Sequence, residues 1–492
     1  MVQIFAGQST AALLRLPPEI LEQILSELDE PYDLLSFAFA SHACSRLAIP
    51  THTQYRVLRL RTPMPELWAH LAERADLARH IREVRFCSRM DRSSRDRFPY
   101  TLVNSDAAKY PGAAEERTKN IVCALAHMSR LRKFTWNHQA DVKSGQPVDR
   151  ALEEVVCGVL ARAPGLRQLR LSGLCADHVR HGMSRPGVLY PLWEVSGLTA
   201  ISLVGHGWAR DSNADSVVAM LHRSPDVEFL AVPAELNGLH LCRFPRLKKL
   251  VLEMVAGTAG AATHLDNISL FLENHPTIEE LSWYPVGAVK LSPGTLPALK
   301  RLKGPRQIFD AMEESGSSWP LEDLDIWSLG FESLSAAMSL DPTTVRKVSI
   351  TTAGTIESIW AFAERFRAIT WLSLPAYYIS ETTDGPQRIP IEQWLDILQR
   401  FPNLEVLRGL GMWNAVGESK ERMHQVILDL VERCPNLREL DYLRVCPEHG
   451  NYKVIKIIRE RDPEDSELEH VRYEVHKPKL WDWLDTMAGR FN

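Results

Sequence analysis

The sequence predicts an α/β protein in which an N-terminal three-helix module precedes a long, irregular array of strand–helix repeats. Two observations lead to this prediction. A short phrase of alternating apolar residues recurs from residue 131 to residue 440, and most copies follow a segment with the apolar spacing of an amphipathic helix. The first fifty residues instead show helical periodicity without that phrase.

The first helix is predicted over residues 16–28. Proline suits its first turn, where a missing N–H costs no hydrogen bond, and Glu19 complements the positive end of the helix dipole. Ile20 and Ile24 lie in one apolar stripe, and Leu21 and Leu25 lie in an adjacent one. The resulting apolar surface is broader than one packing neighbour requires.

A second helix is expected over residues 33–40 and a third over residues 41–48. The second helix is predicted to bury Leu34, Leu35, Ala38 and Phe39. Three short helices bury too little surface to be stable alone, so the module is expected to pack on something else. That neighbour is either a partner protein or the repeats behind the module, for which the helices would form a cap.

Residues 16–20 read Leu-Pro-Pro-Glu-Ile, and residues 33–35 read Asp-Leu-Leu. Together with the apolar residues between them, these runs resemble the F-box, whose pattern opens with Leu-Pro, an acidic residue and Ile. Residues 48–60 are similar to fungal F-box proteins with leucine-rich repeats, although residues 41–47 lack the tryptophan near which many F-boxes end. The resemblance implies docking on a Skp-family adaptor and, through it, on a cullin-based ubiquitin ligase.

The resemblance also implies which residues contact the adaptor. The positions that match the apolar and proline positions of the motif are Leu16, Pro17, Pro18, Ile20, Leu21, Ile24, Leu25, Leu28, Leu34 and Leu35.

The recurring phrase begins with proline or glycine and continues as apolar, two polar, apolar, any, apolar. Its first apolar positions at 166, 198, 227, 247, 278, 299 and 321 are about 20 to 32 residues apart, which brackets the leucine-rich-repeat period. Helices are predicted before the strands over residues 150–163, 212–223, 263–274, 355–366, 391–401 and 419–434. One strand and one helix cannot bury their apolar faces alone, so the repeats are expected to stack into an irregular leucine-rich-repeat solenoid.

Three regions follow from these patterns. Residues 12–50 form the F-box-like helical module, and residues 51–445 form the solenoid, with a polar loop at residues 88–120. Residues 446–492 form a C-terminal cap, with strands at 452–458 and 471–476 and a helix at 481–487. Within the loop, Arg89, Arg92, Arg95 and Arg97 are diluted by acidic neighbours, so a nucleic-acid-binding arm is not favoured.

The overall composition argues against nucleic acid and membranes as partners. The chain has 57 basic and 62 acidic side chains, whereas binding to phosphate backbones needs a concentrated basic excess. We find no signal-peptide pattern, and no apolar run approaches the ~18 residues of a transmembrane helix. The eight cysteines form no CxxC pair, so we expect free thiols and an intracellular location, cytoplasmic or nuclear.

No motif indicates catalysis, a cofactor or a metal. The sequence has no P-loop, HExxH, G-x-G-x-x-G or G-x-S-x-G motif, and the Gly-His-Gly run at 205–207 is interpreted as a turn. Cys446, His449 and Cys434 lack the fourth ligand of a closed zinc site. We therefore expect no enzymatic activity, no cofactor and no bound metal.

The resemblance to the F-box implies, together with the repeats, a non-catalytic substrate receptor of an SCF-type ubiquitin ligase, whose repeats bind an unidentified target protein. The alternative is a ligase-independent leucine-rich-repeat scaffold with the helices as its cap. Four tryptophans on or beside the strands are candidates either for target contact or for core packing: Trp136, Trp283, Trp327 and Trp371.

Overall fold

The computed structural model describes residues 15–28, 31–49, 51–60, 64–86, 113–137, 150–172, 190–209, 211–253, 262–329, 337, 340–353, 355–374, 378–379, 386–387, 389–409, 411–417, 419–442, 453–461 and 469–476. The chain divides into two compact units, Met1–Ala200 and Ile201–Asn492. The predicted domain boundaries at residues 50 and 445 stay predictions.

Three helices open the first unit where the sequence predicts them. They are α1 (Pro18–Glu27), α2 (Pro31–Ala40) and α3 (His42–Ala48). The second helix begins two residues earlier than predicted, because proline is well tolerated in a first helical turn. The side chain of Ser41 caps α3 by accepting a hydrogen bond from the backbone N–H of Cys44 at 3.1 Å.

The rest of the first unit alternates strands and helices. In chain order these are β1 (Val57–Leu60), α4 (Pro65–Glu73), α5 (Ala75–Ala78), β2 (Glu83–Phe86), α6 (Ala113–His127), β3 (Lys133–Asn137), α7 (Arg150–Ala161) and β4 (Gln168–Ser172). The four strands are parallel, and Leu58, Val84, Phe134 and Leu169 lie at one register position across them. All four side chains are buried, so each strand adds one layer to a shared core.

The predicted polar loop at residues 88–120 is wrong at its C-terminal end. Helix α6 begins at Ala113, whereas residues 87–112 lie outside the described part of the chain. Glu115 and Glu116 make its first turns polar, and the apolar period becomes visible only from Ile121. A polar sequence in the first turns of a helix gives no apolar period there.

The second unit continues the same alternation. Its elements are β5 (Ala200–Val204), α8 (Asp211–His222), β6 (Phe229–Pro233), β7 (Lys249–Glu253), α9 (Ala262–Glu273), β8 (Glu280–Trp283), β9 (Arg301–Gly304), α10 (Arg306–Ser315), β10 (Asp323–Leu329), β11 (Lys347–Ala353), α11 (Ile356–Arg365), β12 (Trp371–Ser373), β13 (Tyr378–Ile379), β14 (Pro386–Gln387), α12 (Ile391–Leu398), β15 (Val406–Arg408), α13 (Gly411–Val416), α14 (Lys420–Arg433), β16 (Glu439–Asp441), β17 (Val454–Arg461) and β18 (Glu469–His476).

One row of apolar residues runs through nine parallel strands of the second unit. The strands pair in the order β6, β7, β8, β9, β10, β11, β12, β15, β16. The row consists of Leu230, Leu250, Leu281, Leu302, Leu324, Val348, Leu372, Leu407 and Leu440, all of which are buried. Each is the second apolar residue of a repeat phrase, so the predicted stacking of repeats is observed within this unit.

The last described elements of the second unit form an antiparallel hairpin, as predicted. Strand β17 pairs antiparallel with β16 on one side and with β18 on the other. Val454 and Ile455 of β17 are fully buried, so the hairpin covers the last parallel strand. The helix predicted at residues 481–487 lies outside the described residues. Within the part of the chain that the structure describes, every helix is too short or too polar to cross a bilayer.

Candidate functional site

Helix α1 presents two adjacent apolar faces, of which only one is buried. Leu21 and Leu25, one turn apart, are 5% and 1% exposed. Ile20 and Ile24, rotated by about 100° from that pair, are 42% and 36% exposed. Leu16, just before the helix, is exposed as well. The apolar surface is therefore broader than the core of the protein uses.

Helix α2 repeats this arrangement. Leu34 and Ala38 are buried, whereas Leu35 and Phe39, each the next residue along the chain, are 37% and 83% exposed. The prediction that Leu35 and Phe39 are buried is wrong. Leu34, Ala38, Leu35 and Phe39 cover an arc of about 140° around the helix, and the protein buries only the part with Leu34 and Ala38.

The ten residues predicted to contact an adaptor thus fall into different environments. Exposed are Leu16, Pro17, Ile20, Ile24 and Leu35; buried are Leu21, Leu25 and Leu34; Leu28 is half-buried; and the side chain of Pro18 lies outside the description. Leu21, Leu25 and Leu34 pack inside the protein and are not accessible to a partner in this structure. Phe39, the most exposed of these apolar residues, was not among the predicted contact residues.

Exposed large apolar side chains are otherwise scattered in the described part of the chain. They are Leu241, Leu270, Val286, Leu428 and Val475, and no two of them are one helical turn apart. The three N-terminal helices and their flanks carry Leu16, Ile20, Ile24, Leu35, Phe39 and Ile49. We call the residues Leu16, Ile20, Ile24, Leu35 and Phe39 the apolar stripes of α1 and α2. Single exposed apolar residues need no explanation, whereas a concentration of them marks an interaction surface.

Helix α1 is attached to the first repeat at its C-terminal end. The guanidinium of Arg56, which is buried, donates to the backbone carbonyl of Leu25 at 3.4 Å and to that of Leu28. These carbonyls lie in the last turn and at the C-cap of the helix, where carbonyls lack intrahelical partners and a cation complements the helix dipole.

A polar cluster attaches the same helix through Glu22. The Glu22 carboxylate lies 2.8 Å from Nε2 of His52 and 3.2 Å from Nδ1 of His80, and both histidines are buried. Arg130 donates to Glu22 Oε1 at 3.4 Å. Arg79 Nε donates to Nε2 of His80 at 3.3 Å.

Burial and charge set the protonation of this cluster. Burial lowers the pKa of His80 to about 4 despite the nearby Glu22 carboxylate, and it lowers the pKa of His52 as well. Partial burial opposes ionisation of Glu22, but the hydrogen bond and charge of His52, with those of His80 and Arg130, leave its pKa below the usual value. At neutral pH the cluster therefore consists of a carboxylate and two neutral imidazoles.

Sequence reasoning missed this cluster. Glu22, His52 and His80 are about thirty residues apart and lie on three different segments, so no short motif contains them. Only the folding of α1 against the loops before β1 and β2 brings them together.

The other candidates from the sequence are structural where the chain is described. Gly205 adopts φ +120° and leads β5 into the 3₁₀ helix His206–Ala209, as a turn residue does. Cys434 is buried, and burial raises the pKa of its thiol to about 11, which makes it a poor metal ligand at neutral pH. Cys446 and His449 lie outside the described residues.

Two of the four tryptophans on or beside the strands pack inside the protein. Trp136 and Trp283 are buried in the core, Trp371 is half-buried, and the side chain of Trp327 lies outside the description. Trp136 and Trp283 are therefore not target contacts in this structure.

Comparison with known proteins adds little to this description. No family model matches the chain, and no curated protein matches it. Among solved structures, the chain is similar to one described as a TLR13–ssRNA13 complex, with 12% sequence identity and a TM-score of 0.29. That alignment covers 71% of this chain and 51% of the other, so the chain spans about half the length of that protein. The strand register of the chain itself defines its fold.

Proposed function

We propose that the chain is a non-catalytic adaptor of the F-box type. Its N-terminal helices dock on a Skp-family adaptor and thereby on a cullin-type ubiquitin ligase. Its repeats, of the leucine-rich kind, hold a target protein while a separate enzyme transfers ubiquitin. The observation that carries the proposal is the pair of exposed apolar stripes on α1 and α2.

The apolar stripes have the form that a docking partner needs. Ile20 with Ile24, and Leu35 with Phe39, are pairs at i and i+4, which is how a helix presents anchors to an apolar groove. Full burial of such a side chain contributes about 1.5 to 3 kcal/mol, so Phe39, which is 83% exposed, has the most to gain. A few such anchors dominate the affinity of many interfaces.

The strand faces turned away from the core support the target-binding part of the proposal. In the second unit, Glu280, Arg301 and Asp323 occupy one register position on neighbouring strands, with 3.1 Å between Glu280 and Arg301 and 3.5 Å between Arg301 and Asp323. A row of alternating charges on a rigid sheet offers specific polar contacts without an enzyme's acid, base and nucleophile.

The test is binding of the purified full-length protein to a purified Skp-family adaptor by calorimetry. The double variant Ile20→Asp/Ile24→Asp and the double variant Leu35→Asp/Phe39→Asp should each weaken binding by more than about 100-fold, because a carboxylate in an apolar groove loses its hydration. The matched control is the double variant Leu270→Asp/Leu428→Asp, which places the same two charges at exposed leucines of α9 and α14 and should bind like the unmodified protein.

Equal affinity of both double variants and the unmodified protein would exclude the apolar stripes as the docking surface. A folded protein that fails to bind the adaptor would favour the ligase-independent scaffold. Circular dichroism of each variant establishes that the repeats remain folded.

The scaffold alternative has its own support in the attachment of α1. Glu22 and Arg56 tie this helix to the repeats, as a cap would be tied. Deletion of residues 1–50 would remove the Glu22 carboxylate from two buried histidines, and it would destabilise the repeats under either function. Substitutions on the exposed stripes separate the two functions better, because they leave those contacts in place.

A further inference from the structure

We propose that the Glu22 carboxylate, Nε2 of His52 and Nδ1 of His80 form a binding site for a divalent transition-metal ion such as Zn²⁺. The ion would join α1 to the two segments that precede β1 and β2. This site is independent of whatever docks on the apolar stripes, because Glu22 lies on a different side of α1 from Ile20 and Ile24.

The donor atoms are already close to a coordinating arrangement. The potential ligand atoms of the three residues all lie within 4.8 Å of one another, with 2.8 Å from Glu22 to His52 and 3.2 Å from Glu22 to His80. Ligands about 2.0 to 2.2 Å from a tetrahedral zinc ion are roughly 3.3 Å from each other, so small side-chain rotations suffice. Imidazole and carboxylate suit Zn²⁺, and the half-exposed Glu22 leaves room for water as a fourth ligand.

His80 differs from a histidine that only fills the core. The buried His275 in the second unit uses both ring nitrogens: Nδ1–H donates to the carbonyl of Phe271 at 2.6 Å, and Nε2 accepts from the N–H of Phe244 at 3.0 Å. Nδ1 of His80 is buried and has no hydrogen-bond partner, since its approach to Glu22 lacks hydrogen-bond alignment. A buried nitrogen that lies 3.2 Å from a carboxylate without a hydrogen bond is one that a bound metal ion would satisfy.

Two arginines that contact the proposed ligands, Arg130 and Arg79, oppose binding of a cation. Arg130 holds Glu22 Oε1, and Arg79 donates to Nε2 of His80. When Nδ1 of His80 binds a metal, its ring proton moves to Nε2, so Arg79 must turn away. Both arginines reach solvent, so their side chains can turn away from the site. The buried Arg56, by contrast, donates hydrogen bonds to carbonyls of α1. Arg130 is thus the main competitor of the ion.

The test uses the full-length protein after removal of metal by a chelator. Calorimetric titration with Zn²⁺ should show one ion per chain and a rise in the thermal unfolding midpoint. His80→Asn and His52→Asn should each weaken binding by more than about tenfold. The control His275→Asn removes an equally buried histidine and should keep the affinity. Arg130→Gln should tighten binding by roughly tenfold, because a competing charge beside Glu22 is removed.

Titration with Co²⁺ separates this site from the cysteines. A nitrogen and oxygen ligand set should give no thiolate-to-cobalt absorption band. Such a band, or Zn²⁺ affinity that is unchanged in both His80→Asn and His52→Asn, would overturn the proposal. So would the absence of binding in both the unmodified protein and Arg130→Gln, a substitution at a half-exposed residue that should not disturb folding.

Discussion

At the scale of single residues, His275 shows how hydrogen bonds select one protonation state of a buried side chain. Its Nε2 must be an acceptor, because it faces the backbone N–H of Phe244, and its Nδ1 must be a donor, because it faces a carbonyl. Only the neutral ring satisfies both. Burial accordingly lowers the pKa of His275 below its ordinary value of 6.5.

This predicts an acid-sensitive second unit. The unfolded chain binds a proton at His275 more readily than the folded one, so stability is lost as the pH falls from about 6.5 toward the lowered pKa of the folded state. Thermal unfolding midpoints at pH 7.5 and pH 5 measure the loss. His275→Gln, which donates and accepts without titrating, should reduce the pH dependence, whereas His222→Gln at an exposed position should not. Equal pH dependence of His275→Gln and the unmodified protein would contradict this account.

At the scale of elements, α1 and α2 each bury one apolar face and expose the apolar face next to it. In α1 the residue before each buried leucine is exposed, and in α2 the residue after each buried residue is exposed. Periodicity alone predicts that such helices have a wide apolar arc, but it does not predict which part of the arc the protein buries. That choice depends on the element that packs against the helix, which for α2 is α3, so periodicity alone did not separate Leu35 and Phe39 from Leu34 and Ala38.

The two faces of α1 should respond differently to truncation. Leu25→Ala should lower the free energy of unfolding by about 2 to 5 kcal/mol, because it opens a cavity beside a fully buried site. Ile24→Ala should change it by less than about 1 kcal/mol, since the side chain is already partly hydrated. Urea denaturation of the full-length protein, followed by circular dichroism, compares the two. Similar losses for both variants would mean that the exposed stripe is part of the core.

At the scale of the whole molecule, the repeats were predictable because each one contains the same spacing of apolar residues. The proline-apolar phrase located β4 and most later strands, and α7, α9 and α14 end within two residues of their predicted ends. Strand β2 and the hairpin of β13 and β14 were not predicted, because two to four residues give no reliable period. The cluster of Glu22, His52 and His80 was beyond sequence reasoning for a different reason, since its members share no element.

The measurement that tests the central claim most directly is hydrogen exchange of the full-length protein with and without a Skp-family adaptor. If the apolar stripes are the docking surface, adaptor binding should slow exchange in α1 and α2, while α14, far along the sequence, should exchange as before. Complex formation that slows exchange only in the repeats, or no complex with a folded chain, would contradict the claim that the N-terminal helices are the docking module.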